Sequence, residues 1–151
     1  MRKRTLAREA ALKILYQAEI TRREPQIAAE NYWAEYETID KPVKDFCDRL
    51  IIGVGLRQKE IDEKISQYAA NWQLKRMAVI DRNILRMGTF ELLYTPDIPP
   101  KATINEAVEL AKKYGDLESS KFVNGILDKI HKSEVIPQNI KTIKSHDDET
   151  G

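Results

Sequence analysis

Apolar residues recur every three or four positions along most of the chain, whereas the strict alternation typical of half-buried strands is nearly absent. This spacing predicts an all-α protein, a helical bundle of about seven helices. In the first predicted helix, residues 3–23, Ala7 and Ile14 share one arc when each residue advances by about 100°. Leu12 and Tyr16 extend that apolar surface past its edge, so they face either the core or a protein partner.

Prolines and a break in the pattern divide the rest of the chain. Pro25 suits the first turn of a second helix, and Asp40 can cap a third. The helical pattern then stops at Asn71 and Trp72, which predicts two packed helical subdomains. The predicted limits of the two subdomains, and of a polar and mobile tail that follows them, are residues 1–70, 71–133 and 134–151.

The second predicted subdomain contains the most apolar helix. Residues 77–94 are apolar around most of the helix circumference, which predicts a central position. Gly88 inside this helix costs about 1 kcal/mol relative to alanine, which indicates a close contact with another backbone. Thr103 and Glu106 have the spacing of a capping box and predict the start of the next helix, and Asp116 can cap the last one.

The charge of the chain is balanced in total but uneven in distribution. Its 151 residues include 25 Lys and Arg and 24 Asp and Glu, so the net charge of +1 excludes a strongly basic domain. The cations that precede the first acid, Glu9, are Arg2, Lys3, Arg4 and Arg8. This basic head predicts a local binding patch, with a solvated terminus as the alternative.

Several further absences narrow the class of protein. No apolar run approaches the roughly 20 residues that span a bilayer, and the charged N-terminus lacks the core of a signal peptide, so we expect a cytoplasmic protein without membrane contact.

Cys47 is the only cysteine, which excludes an internal disulfide and a site of paired thiolates. Neither His131 nor His146 has a second ligand at metal spacing. Gly53 and Gly55 lack the strand and third glycine of a nucleotide loop, so they indicate close helix packing. We therefore expect a binding protein rather than an enzyme, with no cofactor and no metal.

Four stretches of sequence carry a specific pattern. Residues 81–86 read DRNILR, residues 104–112 read INEAVELAK, and residues 121–129 read KFVNGILDK. Residues 7–17 read AREAALKILYQ. Together these stretches resemble the NusB family of bacterial transcription antitermination factors, and the likeness covers residues 2–132.

The resemblance implies a fold and a function. Members of this family are all-helical, with an N-terminal three-helix subdomain and a C-terminal helical subdomain. They bind the single-stranded boxA element of ribosomal RNA transcripts together with NusE, a small-subunit ribosomal protein. The complex joins an RNA polymerase antitermination assembly, and no chemical step is catalysed. Family members occur as monomers and as homodimers.

The resemblance also implies roles for individual residues. Matched to the family's RNA-binding N-terminus are Arg2, Lys3, Arg4 and Arg8. The last helix matches a region associated with RNA through Ser120, Lys121 and Phe122. The turn at residues 116–122 offers helix N-terminal amides as a second phosphate contact. Asp81 and Arg86 match charged positions on the side that faces NusE, and Leu12 and Tyr16 are the apolar candidates for partner contact.

Two other functions remain open from the sequence. Some ribosomal RNA cytosine methyltransferases carry a NusB-like domain before their catalytic domain, so the chain is alternatively a detached RNA-recognition module of that kind. It has no glycine-rich cofactor loop and no catalytic cysteine motif of its own. The second alternative is a helical adaptor that binds only proteins, with the basic head incidental.

Overall fold

A computed structural model describes residues 2–138 of the chain. Seven α-helices make up most of this part, together with a short 3₁₀ turn at Leu74–Arg76 and a π-helical turn at His131–Val135. The described residues form no β-strand, so the prediction of an all-α bundle is confirmed. The helices are α1 Lys3–Thr21, α2 Pro25–Ala34, α3 Lys41–Leu56, α4 Gln58–Tyr68, α5 Val79–Tyr94, α6 Pro100–Tyr114 and α7 Ser119–Ile130.

Helix α5 lies at the centre of the bundle. It packs against α1, α3, α4, α6 and α7. Ile84 and Leu85 are fully buried on it, and even its polar residues Thr89 and Glu91 are almost inaccessible to solvent. A helix that is apolar around its circumference must be covered on all sides, so the predicted central position is confirmed. Because helices of both predicted subdomains contact α5, the division at residue 70 stays a prediction.

Side-chain contacts define the directions of the neighbouring helices. Arg8 near the start of α1 contacts Glu91 near the end of α5, and Glu19 near the end of α1 contacts Arg82 near the start of α5. The two helices are therefore antiparallel. Helix α7 runs in the same direction as α5, because its first residue, Ser119, lies beside the start of α5 and its later residues pack further along.

Two glycines permit this close packing. A Cβ atom added to Gly53 on α3 would lie 2.1 Å from Cζ of Phe90 on α5. A Cβ atom added to Gly88 would lie 2.8 Å from Cδ1 of Leu127 on α7. The predicted close packing is therefore confirmed at Gly53. At Gly88 the contact is close, but the predicted backbone neighbour is wrong, because the neighbour is a side chain. The close packing predicted at Gly55, which is also on α3, is wrong, because an added Cβ atom would meet nothing within 4 Å.

The structure corrects two predicted boundaries. Helix α6 begins at Pro100 rather than at Thr103, because a proline is favoured in the first turn, where its missing N–H costs nothing. Thr103 lies inside the helix, and its hydroxyl donates to Glu91 over 3.1 Å instead of capping an amide.

The predicted tail also begins too early. Helical structure continues through the π turn as far as Gln138, and Val135 is buried. Glu134 accepts hydrogen bonds of 2.8 Å from both Lys64 and Tyr68 of α4, which holds this segment on the bundle. The rest of the predicted tail, with His146, lies outside the described residues. No helix among residues 2–138 combines the length and apolarity needed to cross a membrane.

The two glycines of α3 provide a matched test of this packing. We expect Gly53→Ala to lower the free energy of unfolding by about 1–3 kcal/mol, because the Phe90 ring must move. Gly55→Ala should raise it by up to about 1 kcal/mol, because alanine is the better helix former and the space is open. Urea unfolding followed by circular dichroism measures both. Equal effects of the two substitutions would contradict the close packing of α3 on α5.

Candidate nucleic-acid interface

The basic head lies at the N-terminus of α1. The side chains of Arg2, Lys3 and Arg4 are exposed around its first turn. Arg2 occupies the N-cap position, and no side chain caps the free amides of the helix. Lys3 Nζ is 3.5 Å from Asp40 in an exposed pair, and the Arg4 guanidinium is 5.1 Å from the centre of the Phe46 ring. Three cations and the positive end of the helix dipole therefore combine into one surface that attracts anions.

Arg8 does not share this surface. Its side chain is only 4% exposed, and its Nη2 and Nε atoms donate to the two carboxylate oxygens of Glu91 over 2.6 and 3.1 Å. The sequence groups Arg8 with the cations of the basic head, but its ion pair with the acid on α5 holds it inside the bundle. Its role as an RNA contact stays a prediction. The geometry supports a different role, because the pair joins α1 to α5 and, through Thr103, to α6.

The RNA-contact residues predicted at the start of α7 differ in their exposure to solvent. Lys121 is exposed, while Ser120 and Phe122 are half-buried. Two of the amides predicted to bind phosphate are already occupied, because Oδ1 of Asp116 accepts hydrogen bonds from the amides of Glu118 and Ser119 over 2.9 and 3.1 Å. Asp116 therefore caps these two amides, as predicted, although the last helix itself begins at Ser119.

The structure does not bring the two predicted RNA-contact regions together. The basic head lies near the end of α5 that carries Glu91, whereas the start of α7 lies near the end that carries Asp81. Ten residues of α-helix separate Asp81 from Glu91, which corresponds to about 15 Å. A ligand that contacts both regions must therefore extend along the bundle.

The predicted partner residues Arg86 and Leu12 are both internal. The Arg86 side chain is 10% exposed, and its Nη1 and Nε atoms donate to Glu19 and Asp62, each over 2.9 Å. Leu12 is 1% exposed and belongs to the core. For Leu12 the core alternative is therefore confirmed. Contact of Arg86 with NusE stays a prediction, and its charge is already paired within the bundle.

Tyr16 and Asp81 line separate depressions of the surface. Tyr16 is 36% exposed and borders a groove with Tyr32 and Tyr114. Asp81 is buried at the base of a cleft between the start of α5 and the start of α7. The two residues thus do not form one continuous partner surface.

Sequence reasoning missed the aromatic side chain beside Asp81. Trp72 is 58% exposed and its ring centre lies 5.8 Å from that of Phe122, with the ring planes at 71°. In the sequence, Trp72 marks only a break in helical periodicity. The signal that could have identified Trp72 is an aromatic residue in such a break, followed closely by the basic pair Lys75 and Arg76.

Comparisons with known proteins agree on one family. The model of the NusB family matches residues 5–132. A transcription antitermination protein NusB from Anaeromyxobacter dehalogenans is 45% identical over 128 residues, which cover 85% of this chain and 89% of that protein. A crystal form of T. maritima NusB superposes with a TM-score of 0.83 at 40% identity, covering 93% of this chain and 98% of that one. A NusB chain crystallised with NusE and double-stranded RNA superposes with a TM-score of 0.80 at 29% identity, covering 88% and 98% of the two chains.

The buried ion pair generates a prediction about stability. Arg8→Ala should lower the free energy of unfolding by about 3–5 kcal/mol, because it leaves Glu91 buried without its cation. Arg4→Ala is the control, because it removes an exposed cation from the same helix and should change stability by less than about 0.5 kcal/mol. Chemical denaturation measures both variants. Similar stabilities for the two would show that the Arg8 pair is dispensable.

Glu19 generates a prediction about pH. Burial of its carboxyl group acts to raise its pKa, but hydrogen bonds and charge from Arg82 and Arg86 outweigh burial and hold the pKa below the ordinary value of 4.5. The stabilisation from Glu19 is therefore complete above pH 4.5 and is lost as the pH falls through the lowered pKa of the folded state. We expect Glu19→Gln to destabilise the protein by about 1–3 kcal/mol at neutral pH.

The deficit of Glu19→Gln relative to the parent chain should shrink as the solution is acidified below pH 4.5. Urea unfolding of both proteins from neutral to acidic pH measures it. A deficit that stayed constant over this range would contradict an ionised Glu19 between the two arginines.

Proposed function

This chain belongs to the NusB family, and we propose that it acts as an RNA-binding transcription antitermination factor in the bacterial cytoplasm. In this proposal it binds the boxA element of ribosomal RNA transcripts together with NusE and joins the RNA polymerase antitermination complex. The curated relative from Anaeromyxobacter dehalogenans is a transcription antitermination protein, and a solved relative is bound to NusE and RNA. These similarities extend over most of the chain, which favours this function over a methyltransferase module or a protein-only adaptor.

The observation that carries the proposal is the exposed cation cluster at the uncapped start of α1. Arg2, Lys3 and Arg4 are all accessible there. Arginine offers a planar fork that fits phosphate oxygens and also stacks on exposed bases. Each phosphate neutralised on a single strand contributes about 0.7 to the slope of log affinity against log salt concentration.

The same surface predicts modest affinity for the chain alone. The net charge of +1 provides little long-range attraction for a polyanion, so binding depends on the few cations of the basic head. A second protein that widens the contact surface should therefore strengthen RNA binding. NusE is the proposed second protein.

The groove beside Tyr16 is our proposed docking surface for NusE. Tyr16 is 36% exposed and Ile20, one turn later on α1, is 55% exposed. Tyr32 of α2 lines the same groove. Tyrosine is enriched at protein interfaces because it offers a large apolar area with a polar tip. The alternative occupant of this surface is a second copy of the chain.

The basic head is tested by removing its exposed charges without touching Arg8. The triple variant Arg2→Gln, Lys3→Gln, Arg4→Gln should weaken binding to a boxA oligonucleotide about tenfold and reduce the salt slope by about 2, because up to three phosphate contacts are lost. Filter binding at several salt concentrations, with and without NusE, measures both quantities.

The matched control removes three exposed cations elsewhere on the surface: Arg22→Gln, Arg23→Gln and Lys59→Gln. It has the same change in net charge, so it should retain the parent slope. If both triple variants lost affinity equally, general charge rather than the basic head would govern binding.

The NusE surface is tested with Tyr16→Ala. We expect this variant to weaken NusE binding about tenfold, because an aromatic contact is lost, while RNA binding by the chain alone is unchanged. Leu56→Ala is the control, because Leu56 is 82% exposed on another helix. Calorimetry measures NusE binding, and ultracentrifugation measures self-association. Unchanged NusE binding with weakened self-association would assign the groove to a second copy of the chain.

A further inference from the structure

Two acids from loops between helices pair with cations at or beside the basic head. Asp40 lies between α2 and α3, and its carboxylate is 3.5 Å from Nζ of Lys3. Asp97 lies between α5 and α6, and its carboxylate pairs with Arg49 of α3. Both acids are exposed to solvent. In the free protein, carboxylates therefore occupy cations on the surface that attracts anions.

Arg49 lies beside the head, although it is far from the head in sequence. It follows Phe46 by three residues on α3, so the two side chains are neighbours on one side of that helix. The Arg4 guanidinium is 5.1 Å from the centre of the same Phe46 ring. The pKa of Asp97 is lowered to about 2, chiefly by the hydrogen bonds from Arg49 and in smaller part by the charge of Arg4. Arg4, Arg49 and Asp97 therefore form one group at the surface.

The contact between Arg49 and Asp97 has the geometry that a phosphate would use. Nη1 and Nη2 of Arg49 donate to the two carboxylate oxygens of Asp97 over 3.0 and 2.7 Å. A guanidinium binds a carboxylate and a phosphate through the same pair of parallel hydrogen bonds. The Arg49 side chain is 40% exposed, so a phosphate can approach it from solvent. Because exposed ion pairs contribute little to stability, Arg49 can exchange one anion for the other without disturbing the bundle.

We propose that Arg49 is a fourth cation of the RNA-binding surface, beside Arg2, Lys3 and Arg4, and that Asp97 masks it in the free protein. The inference rests on the proposed RNA-binding function and adds a means of regulating that surface. A strand that recruits Arg49 must displace the Asp97 carboxylate, which then remains close to the strand and repels its phosphates. The mask therefore lowers the affinity for any phosphate backbone, whatever its bases.

The mask has a distinct signature in the salt dependence of binding. A phosphate that binds a free cation releases condensed counterions and adds about 0.7 to the slope of log affinity against log salt concentration. A phosphate that replaces Asp97 on Arg49 leaves one carboxylate unpaired, so the number of paired charges does not change. Arg49 therefore adds nothing to the slope in the parent chain, but it should add about 0.7 once Asp97 is neutral.

Asp97→Asn tests the mask directly. The amide keeps the size of the side chain but removes its charge. We expect this variant to bind a boxA oligonucleotide of about 12 nucleotides about fivefold more tightly at low salt, with a salt slope larger by about 0.7. Filter binding at several salt concentrations measures both quantities. Asp97→Ser serves the same purpose if the asparagine variant does not fold, as judged by circular dichroism.

Two further variants show whether the gain comes from Arg49. Asp128→Asn on α7 removes an exposed acid that pairs with Lys132 over 2.9 Å. It makes the same change in net charge and also releases a cation, so it should leave the affinity and the slope unchanged. The double variant Arg49→Gln, Asp97→Asn should return to about the affinity and slope of the parent chain, because the released cation is no longer present.

The outcomes distinguish the mask from the wider function. RNA binding that depends on the basic head but is unchanged by Asp97→Asn would overturn the mask and leave the proposed function intact. An equal gain in Asp97→Asn and in the double variant would remove Arg49 from the RNA-binding surface. An equal gain in Asp128→Asn would show that net charge alone governs binding, which also contradicts the mask. Failure of the chain to bind any single strand, with or without NusE, would overturn the proposed function itself.

Discussion

The buried pair between Arg8 and Glu91 determines how the basic head is displayed. Removing a guanidinium and a carboxylate from water costs several kcal/mol for each ion, and only close, fully hydrogen-bonded geometry offsets this cost. The pair meets that condition with two hydrogen bonds between the ions and a third to Glu91 from Thr103. It therefore fixes the start of α1 against α5 and α6. With α1 held there, the three cations that precede Arg8 lie at the surface around the first turn of the helix.

Helix α5 sets the distance between the functional regions. The helix is buried on all sides at the centre of the bundle, and its two ends lie beside different kinds of residues. The end at Glu91 lies beside the exposed cations, and the end at Asp81 lies beside the aromatic cleft. A compact ligand contacts only one of these ends. A ligand that contacts both ends must extend along the helix, as a single strand of nucleic acid can.

The sequence predicts what depends on local periodicity and fails where distant residues decide. Spacing and backbone chemistry within a few residues predict the helices and the central position of α5. They also predict the close contacts of Gly53 and Gly88 and the cap at Asp116. The positions of Arg8 and Arg86 do not, because their partners are 83 and up to 67 residues away in the chain. From the sequence alone, a charged residue on a helix is placed on the solvent-exposed face, because the buried acid that pairs with it lies far away in the chain. The basic head was predictable because it lies outside the packed core, whereas the cleft required two segments far apart in sequence to meet.

The near-neutral net charge of the chain affects how selectively it can bind RNA. A strongly basic protein gains most of its RNA affinity from phosphates and binds many sequences alike. Here acids surround the cleft and only a few cations are free at the head, so phosphate contacts alone give weak binding. In the proposed function, NusE adds a second contact surface beside Tyr16. Under that proposal, RNA binding is strong only when the basic head and the partner act together, because the few phosphate contacts of the head are weak alone.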